Sequence, residues 1–151
     1  KEEEYESLYT SFDKWKGIFK NYKTLLCEEK LHDLDNFIAG TADLIYENDK
    51  HFMVGDFKTN KAFNFFSPYN EFMLKPVDHL STCEFNTYGL QLSLYGYLHE
   101  KSSGKKCVGC VIFYKDKQDK FYPIRVNYMK QEIIALIEDY NNPNLLSSKI
   151  D

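Results

Sequence analysis

The chain has 151 residues, 43% of them hydrophobic and 17% aromatic, which suits one domain with a real core. Its formal charge of −4 argues against a nucleic-acid binder held by an overall basic surface, but net charge is a weak exclusion where lysines cluster locally. No apolar run of about eighteen residues occurs, and the chain opens on KEEEYES rather than a basic and then apolar leader. Neither a membrane span nor a secretory signal is expected, and a cytosolic protein is the default.

In chain order, Tyr5, Leu8, Phe12, Trp15 and Phe19 recur at spacings of three and four, the stripe of an amphipathic helix. TLLCEEKL (24–31) reads as a strand, HDLDN breaks it, and FIAGTADLIYE (37–47) reads as a second strand. ENDK turns the chain into a third, HFMVGDFKT (51–59), so the three strands form a meander. FNFFSPYNEFMLKPVDHLS is an irregular aromatic insertion, followed by a helix over FNTYGLQLSLYGYLHEK that ends at the SSGKK turn. Two strands, CVGCVIFYK and FYPIRVNY, and a last helix, KQEIIALIEDYNN, complete an α/β order without repeats or a domain boundary, one domain over 1–151. Because its first residue is Lys1 rather than methionine, the chain is expected to lack an upstream N-terminal segment.

Cys27, Cys83, Cys107 and Cys110 are read as free thiols, since a cytosol-like chain of this size keeps its cysteines reduced. The C-x-x-C at Cys107 and Cys110 runs straight into an apolar strand, so a metal role there is not expected. The lysines gather at Lys58 and Lys61, at Lys101, Lys105 and Lys106, and at Lys115, Lys117 and Lys120, while acids gather in the first six residues and around Glu28 to Asp35. Such runs are usually solvated turns, yet a local basic groove remains open.

The central hairpin carries the chemistry. An even-residue turn at ENDK places Asp43 opposite Val54, so Asp43 shares a face with residues 54, 56 and 58. Asp56 becomes its diagonal neighbour at roughly 7–8 Å between backbones. Two carboxylates so close repel unless something positive lies between them, and hard oxygen donors of this kind suit Mg²⁺ or Mn²⁺. Singly, Asp43 reads as a turn cap and Asp56 with Lys58 as an ion pair at a strand end.

GTAD (40–43), then DFK (56–58), then QLSLY (Gln91 to Tyr95) resembles, in order, the motifs of the PD-(D/E)xK nuclease superfamily, in its branch of RecB-nuclease-like, Cas4-like and phage exonucleases. The resemblance covers residues 24–130. It implies a restriction-endonuclease-like core: a mixed sheet, a meander and then two further strands, flanked by helices. It also implies that Asp43 and Asp56 are metal ligands, with the backbone carbonyl of Phe57 as a third oxygen, and that Lys58 is the catalytic lysine. Hydrolysis of a phosphodiester needs an activated water, charge neutralisation in the transition state and a stabilised leaving oxyanion. Mg²⁺ or Mn²⁺ would supply the acidified water and the charge, and Lys58 would orient the water and hold a non-bridging oxygen. Gln91 and Tyr95, four apart on one helix face, would reach the same cleft, with Tyr88 and His99 extending the stripe.

The upstream His or Glu ligand usual in this superfamily has no assigned counterpart, although Glu2, Glu3, Glu4 and Glu6 lie on the first helix. Glu28 and Glu29 resemble the acidic residue often found on the strand before G-x-x-D, but the register of the 32–36 turn decides between them and neither is included. The cysteine order departs from that of the iron–sulfur members, so no cluster is expected. The implied activity is a metal-dependent deoxyribonuclease, an exonuclease of DNA recombination, repair or replication, working on DNA phosphates without sequence preference and beside a helicase or recombination protein. One arginine, Arg125, against eighteen lysines suits sequence-independent contacts and points to an AT-rich phage or bacterial genome. The alternatives are an inactive nuclease fold serving as a binding or assembly module, and a ribonuclease, which the same metal chemistry would serve.

Overall fold

A computed structural model describes residues 20–142. The helix read over Tyr5 to Phe19 lies outside them. A mixed five-stranded sheet is ordered β1 (Thr24–Asp33), β2 (Ile38–Glu47), β3 (His51–Lys58), β4 (Lys106–Lys115) and β5 (Phe121–Val126). The first three strands are an antiparallel meander; β4 runs parallel to β3, and β5 returns antiparallel to β4. A parallel neighbour requires a crossover, which is supplied by the aromatic insertion and helix α1 (Glu84–Ser103). Helix α2 (Lys130–Tyr140) then packs against α1 through Ile133 and Ile137.

The sheet buries both faces unequally. Leu31, Ile45, Phe52, Val54 and Ile112 meet Leu92 and Leu98 of α1 in the larger core, while Leu44, Tyr46, Met53, Val111, Phe113 and Phe121 form a smaller one on the other face. Helix α1 ends at Gly104, whose φ of 71° is the left-handed conformation that closes a helix and whose N–H reaches the carbonyl of Glu100 at 3.0 Å. Leu92 is fully buried, so Leu92→Ala is expected to cost about 2–5 kcal/mol, read from the denaturation midpoint.

Three expectations shift in register or extent. Strand β1 runs on to Asp33 instead of stopping at Leu31, because Asp33 itself builds the turn: it accepts the N–H of Asp35 at 3.1 Å and the amide of Asn36 at 2.7 Å. The last strand ends at Val126 rather than continuing to Tyr128. In the β2–β3 hairpin, Asn48 N–H donates to the His51 carbonyl at 2.9 Å, so Asp49 and Lys50 form the tip. Leu44 then pairs with Gly55. Asp56 therefore comes directly across from Asp43 rather than diagonally, on the face anticipated.

The two cysteines of the C-x-x-C, three apart in an ideal strand, should point to opposite faces. An irregularity between Phe52 and Val54, with Gly109 at a φ of 150°, carries both Cys107 and Cys110 into the helix-side core. All four cysteines are free thiols, and contact with Cys107 together with burial raises the Cys110 pKa well above its ordinary value.

Asp33 also ties the sheet to the end of α1 through Lys101 Nζ at 2.7 Å. That ammonium, and then the Asn36 amide, hold the Asp33 carboxyl down at about 2. A folded pKa below the unfolded value of about 3.9 gives stability that is complete above that value and lost as pH falls toward 2. Melting temperature measured from pH 5 to pH 2 is expected to fall less steeply in Asp33→Asn than in wild type.

Candidate active site

The β2–β3 ladder stops at the Leu44–Gly55 pair. Beyond it the Phe57 N–H donates to Asp43 Oδ2 at 3.1 Å instead of to a backbone carbonyl. In an extended strand the N–H and C=O of one residue point to the same side, so the Phe57 carbonyl also faces the opening between the strands. Position 28 of β1 falls beside Asp43 in the same register, whereas Glu29 pairs with Ala42. Glu28 has a φ of 50°, a conformation that favours glycine, and the alternation of β2 breaks here: Ala42 and Ile45, three apart, both enter the helix-side core. This local irregularity aims Asp43 at Asp56.

Asp56 is buried, and Lys58 Nζ stands 2.6 Å from its Oδ2. The ammonium pairs with this buried oxygen as an ion pair. Burial pushes the Asp56 carboxyl up to about 6; hydrogen bonding and repulsion from Asp43 add to the rise, and Lys58 offsets part of it. Two facing carboxylates beside a single ammonium, next to the Phe57 carbonyl, fit a hard divalent cation. Asp43, Asp56 and the Phe57 carbonyl are the oxygens that would hold it. Among the described residues no cluster of three or more His, Cys, Asp or Glu side chains joins them, and Glu2, Glu3, Glu4 and Glu6 lie outside those residues.

Helix α1 supplies the other wall. Gln91 Oε1 accepts from Lys58 Nζ at 3.2 Å, and its Nε2 donates to the Tyr95 hydroxyl at 3.0 Å. The Tyr95 ring lies over Gly40, where a Cβ would stand 2.5 Å from Tyr95 Cε1. This contact links the glycine of G-x-x-D to the tyrosine of Q-x-x-x-Y. Asp43, Asp56, Lys58, Gln91 and Tyr95 are thus brought together.

Tyr88 joins them, its ring 4.5 Å from Lys58 Nζ and its hydroxyl bonded to the Asn60 amide. Asn60 was not singled out in the sequence; the available signal was its place two residues after Lys58, on the same face if the strand continued. His99 does not join the site. It bonds to Glu47 at 3.0 Å and packs edge-on against Phe52.

The lysine runs separate in the same way. Lys101 pairs with Asp33 and Asp35, and Lys105 with Glu47, whereas Lys61, Lys115 and Lys117 line a cleft of about 500 Å³ with Thr59, Asn60, Asp116 and Asp119, just past β3.

The sequence matches no protein-family model, and no curated protein is similar to it in sequence. Among solved structures, the chain superposes on a protein from Eubacterium rectale provisionally described as an exonuclease, with a TM-score of 0.53 and 14% identity over 95% of this chain and 53% of that one. A second, SSO0001, aligns with a TM-score of 0.44 and 18% identity over 90% of this chain and 58% of that one. The chain therefore spans little more than half the length of the structures it matches. The first superposition establishes the class of fold: a mixed five-stranded α/β sheet flanked, among the described residues, by two helices. No helix among the described residues is long and apolar enough to cross a membrane.

Proposed function

We propose that this chain is a Mg²⁺- or Mn²⁺-dependent deoxyribonuclease of the PD-(D/E)xK type, of the RecB-nuclease-like and phage-exonuclease-like branch, acting from DNA ends in recombination, repair or replication. The observation that carries this reading is the convergence of Asp43 and the buried Asp56 carboxylate with Lys58 at the end of a hairpin. When bound, a divalent cation supplies an acidified water and positive charge against the scissile phosphate. Asp43, Asp56 and the Phe57 carbonyl are its ligands. Lys58, held between Gln91 and the face of Tyr88, presents its ammonium to a non-bridging oxygen and orients the attacking water. Tyr95 fixes Gln91, and Gln91 fixes Lys58, so both positioning residues act through the lysine. Lys61 and Lys117 offer point charges to the backbone without reading bases. A helicase or recombination protein is the partner this activity would serve.

The test is cleavage of end-labelled linear DNA with Mg²⁺, with Mn²⁺ and with chelator, beside covalently closed circular DNA. Metal-dependent products from linear DNA and an intact circle are expected. Absence of cleavage on linear, circular and single-stranded DNA and on RNA, with no metal binding by calorimetry, would overturn the reading.

A further inference from the structure

The crossover segment between β3 and α1 displays aromatic rings that the core does not use. Phe65 is 50% exposed, Phe66 79% and Tyr69 81%, an unusual concentration for one short stretch. They are presented on a firm support. Asn64 N–H donates to the Glu84 carboxylate at 3.0 Å, Ser67 N–H to the Ser81 hydroxyl at 2.7 Å, and Thr82 N–H to the Glu71 carbonyl at 2.9 Å.

Two of these rings, Phe65 and Tyr69, are also continuous with the candidate active site. Lys58 lies over Tyr88; Phe63 is 6.1 Å from Tyr88, Phe65 is 5.3 Å from Phe63, and Phe85 backs Phe65 at 5.2 Å. Tyr69 and Tyr88 share a cleft of about 370 Å³. On its other side Phe63 touches Tyr114 at 4.9 Å, and Tyr114 walls the lysine-lined cleft. An aromatic path and a cleft that carries Lys61 and Lys117 thus leave Lys58 side by side.

We infer that Phe65, Phe66 and Tyr69 form a stacking platform for the unpaired bases of single-stranded DNA, delivering that strand to Asp43, Asp56 and Lys58. The inference rests on the nuclease reading and specifies its substrate. Bases inside a duplex have no free face to offer, whereas each unpaired base has one, and exposed rings beside backbone-binding lysines recognise that combination without regard to sequence. Of the acids that line the two clefts, Glu84 is committed to the Asn64 N–H, Asp116 to the N–H groups of Gln118 and Lys120, and Asp119 to Lys115 at 2.9 Å, while Glu71 stands beside Tyr69.

The experiment measures fluorescence anisotropy in EDTA, which prevents cleavage, using a labelled single strand of about twenty nucleotides and the matching blunt duplex. Phe66→Ala/Tyr69→Ala is expected to weaken single-strand binding at least about tenfold while duplex binding changes less than about twofold. Phe66→Trp/Tyr69→Trp keeps single-strand affinity. Leu25→Ala, an exposed apolar residue on edge strand β1, leaves both affinities unchanged. Equal loss on single strand and duplex, or no loss on the single strand, overturns the inference; in the latter case altered sedimentation of the double alanine variant would assign the patch to a protein contact. Cleavage with Mg²⁺ by the same proteins separates the two readings. A wild type that cleaves, together with alanine variants of undiminished single-strand affinity, sinks the platform alone, and a wild type that binds through these rings but never cleaves sinks the nuclease.

Discussion

Asp56→Ala and Lys58→Ala are each expected to lower metal-dependent cleavage of end-labelled DNA by at least about a hundredfold, the usual scale for removing one preorganised electrostatic contact. The two losses differ in kind. Asp56→Ala removes a proposed metal ligand, so calorimetry should record weaker Mn²⁺ binding, whereas Lys58→Ala should leave metal affinity equal or higher because a competing cation is gone. Stability supplies a further contrast. Asp56 is buried opposite another carboxylate, an arrangement that the proposed metal site needs and folding does not. Asp56→Asn removes one of two facing negative charges and leaves Asp43 to balance Lys58. It is expected to raise melting temperature by about 2–4 °C, the equivalent of about 1 kcal/mol in a chain of this size, while abolishing activity. An Asp56→Asn variant that melts lower than wild type would mean that the Asp56–Lys58 pair is a structural ion pair.

Much of this geometry was legible because it follows from local chemistry. Phe52, Met53 and Val54 read as a buried strand, and the even-residue turn put Asp43, Asp56 and Lys58 on one face. Face is a parity, and it survives a slip of one residue pair; distance does not. That is why the convergence was anticipated while its directness was not. Where the turn tip falls depends on Asn48, whose side chain accepts the N–H groups of Lys50 and His51 at 2.9 and 2.8 Å and moves the tip to Asp49 and Lys50. The break at Glu28 was illegible for a different reason. Nothing in a glutamate announces a positive φ, and a residue takes that conformation only when its surroundings impose it. Tyr88 appeared on the helix stripe, but its contacts with Lys58 and Asn60 join elements about thirty residues apart, beyond any periodicity. His99 has the same spacing and a different fate, since the far end of α1 lies over Glu47 and Phe52.

Gly40→Ala is expected to reduce cleavage about ten- to a hundredfold although position 40 touches neither metal ligand nor phosphate, because small displacements of a catalytic group carry costs of this order. A Cβ there would stand 2.5 Å from Tyr95 Cε1 and 3.3 Å from Cδ1, both in the rigid body of the ring. Something must move, and the ring moves more cheaply than β2, which at position 40 is paired with β1 through Lys30–Thr41, Leu31–Gly40 and His32–Ala39. Displacing the ring carries the hydroxyl away from Gln91 Nε2, and Gln91, freed, no longer holds Lys58. Two second-site changes separate this steric route from simple unfolding. In Gly40→Ala/Tyr95→Phe the ring still collides, so melting temperature stays as low as in the single variant. In Gly40→Ala/Tyr95→Leu the obstacle is gone and melting temperature recovers, yet cleavage stays low because Gln91 has lost its anchor. Recovery of cleavage along with stability in the leucine double variant would remove Tyr95 from the positioning chain and leave Gly40 with a packing role alone.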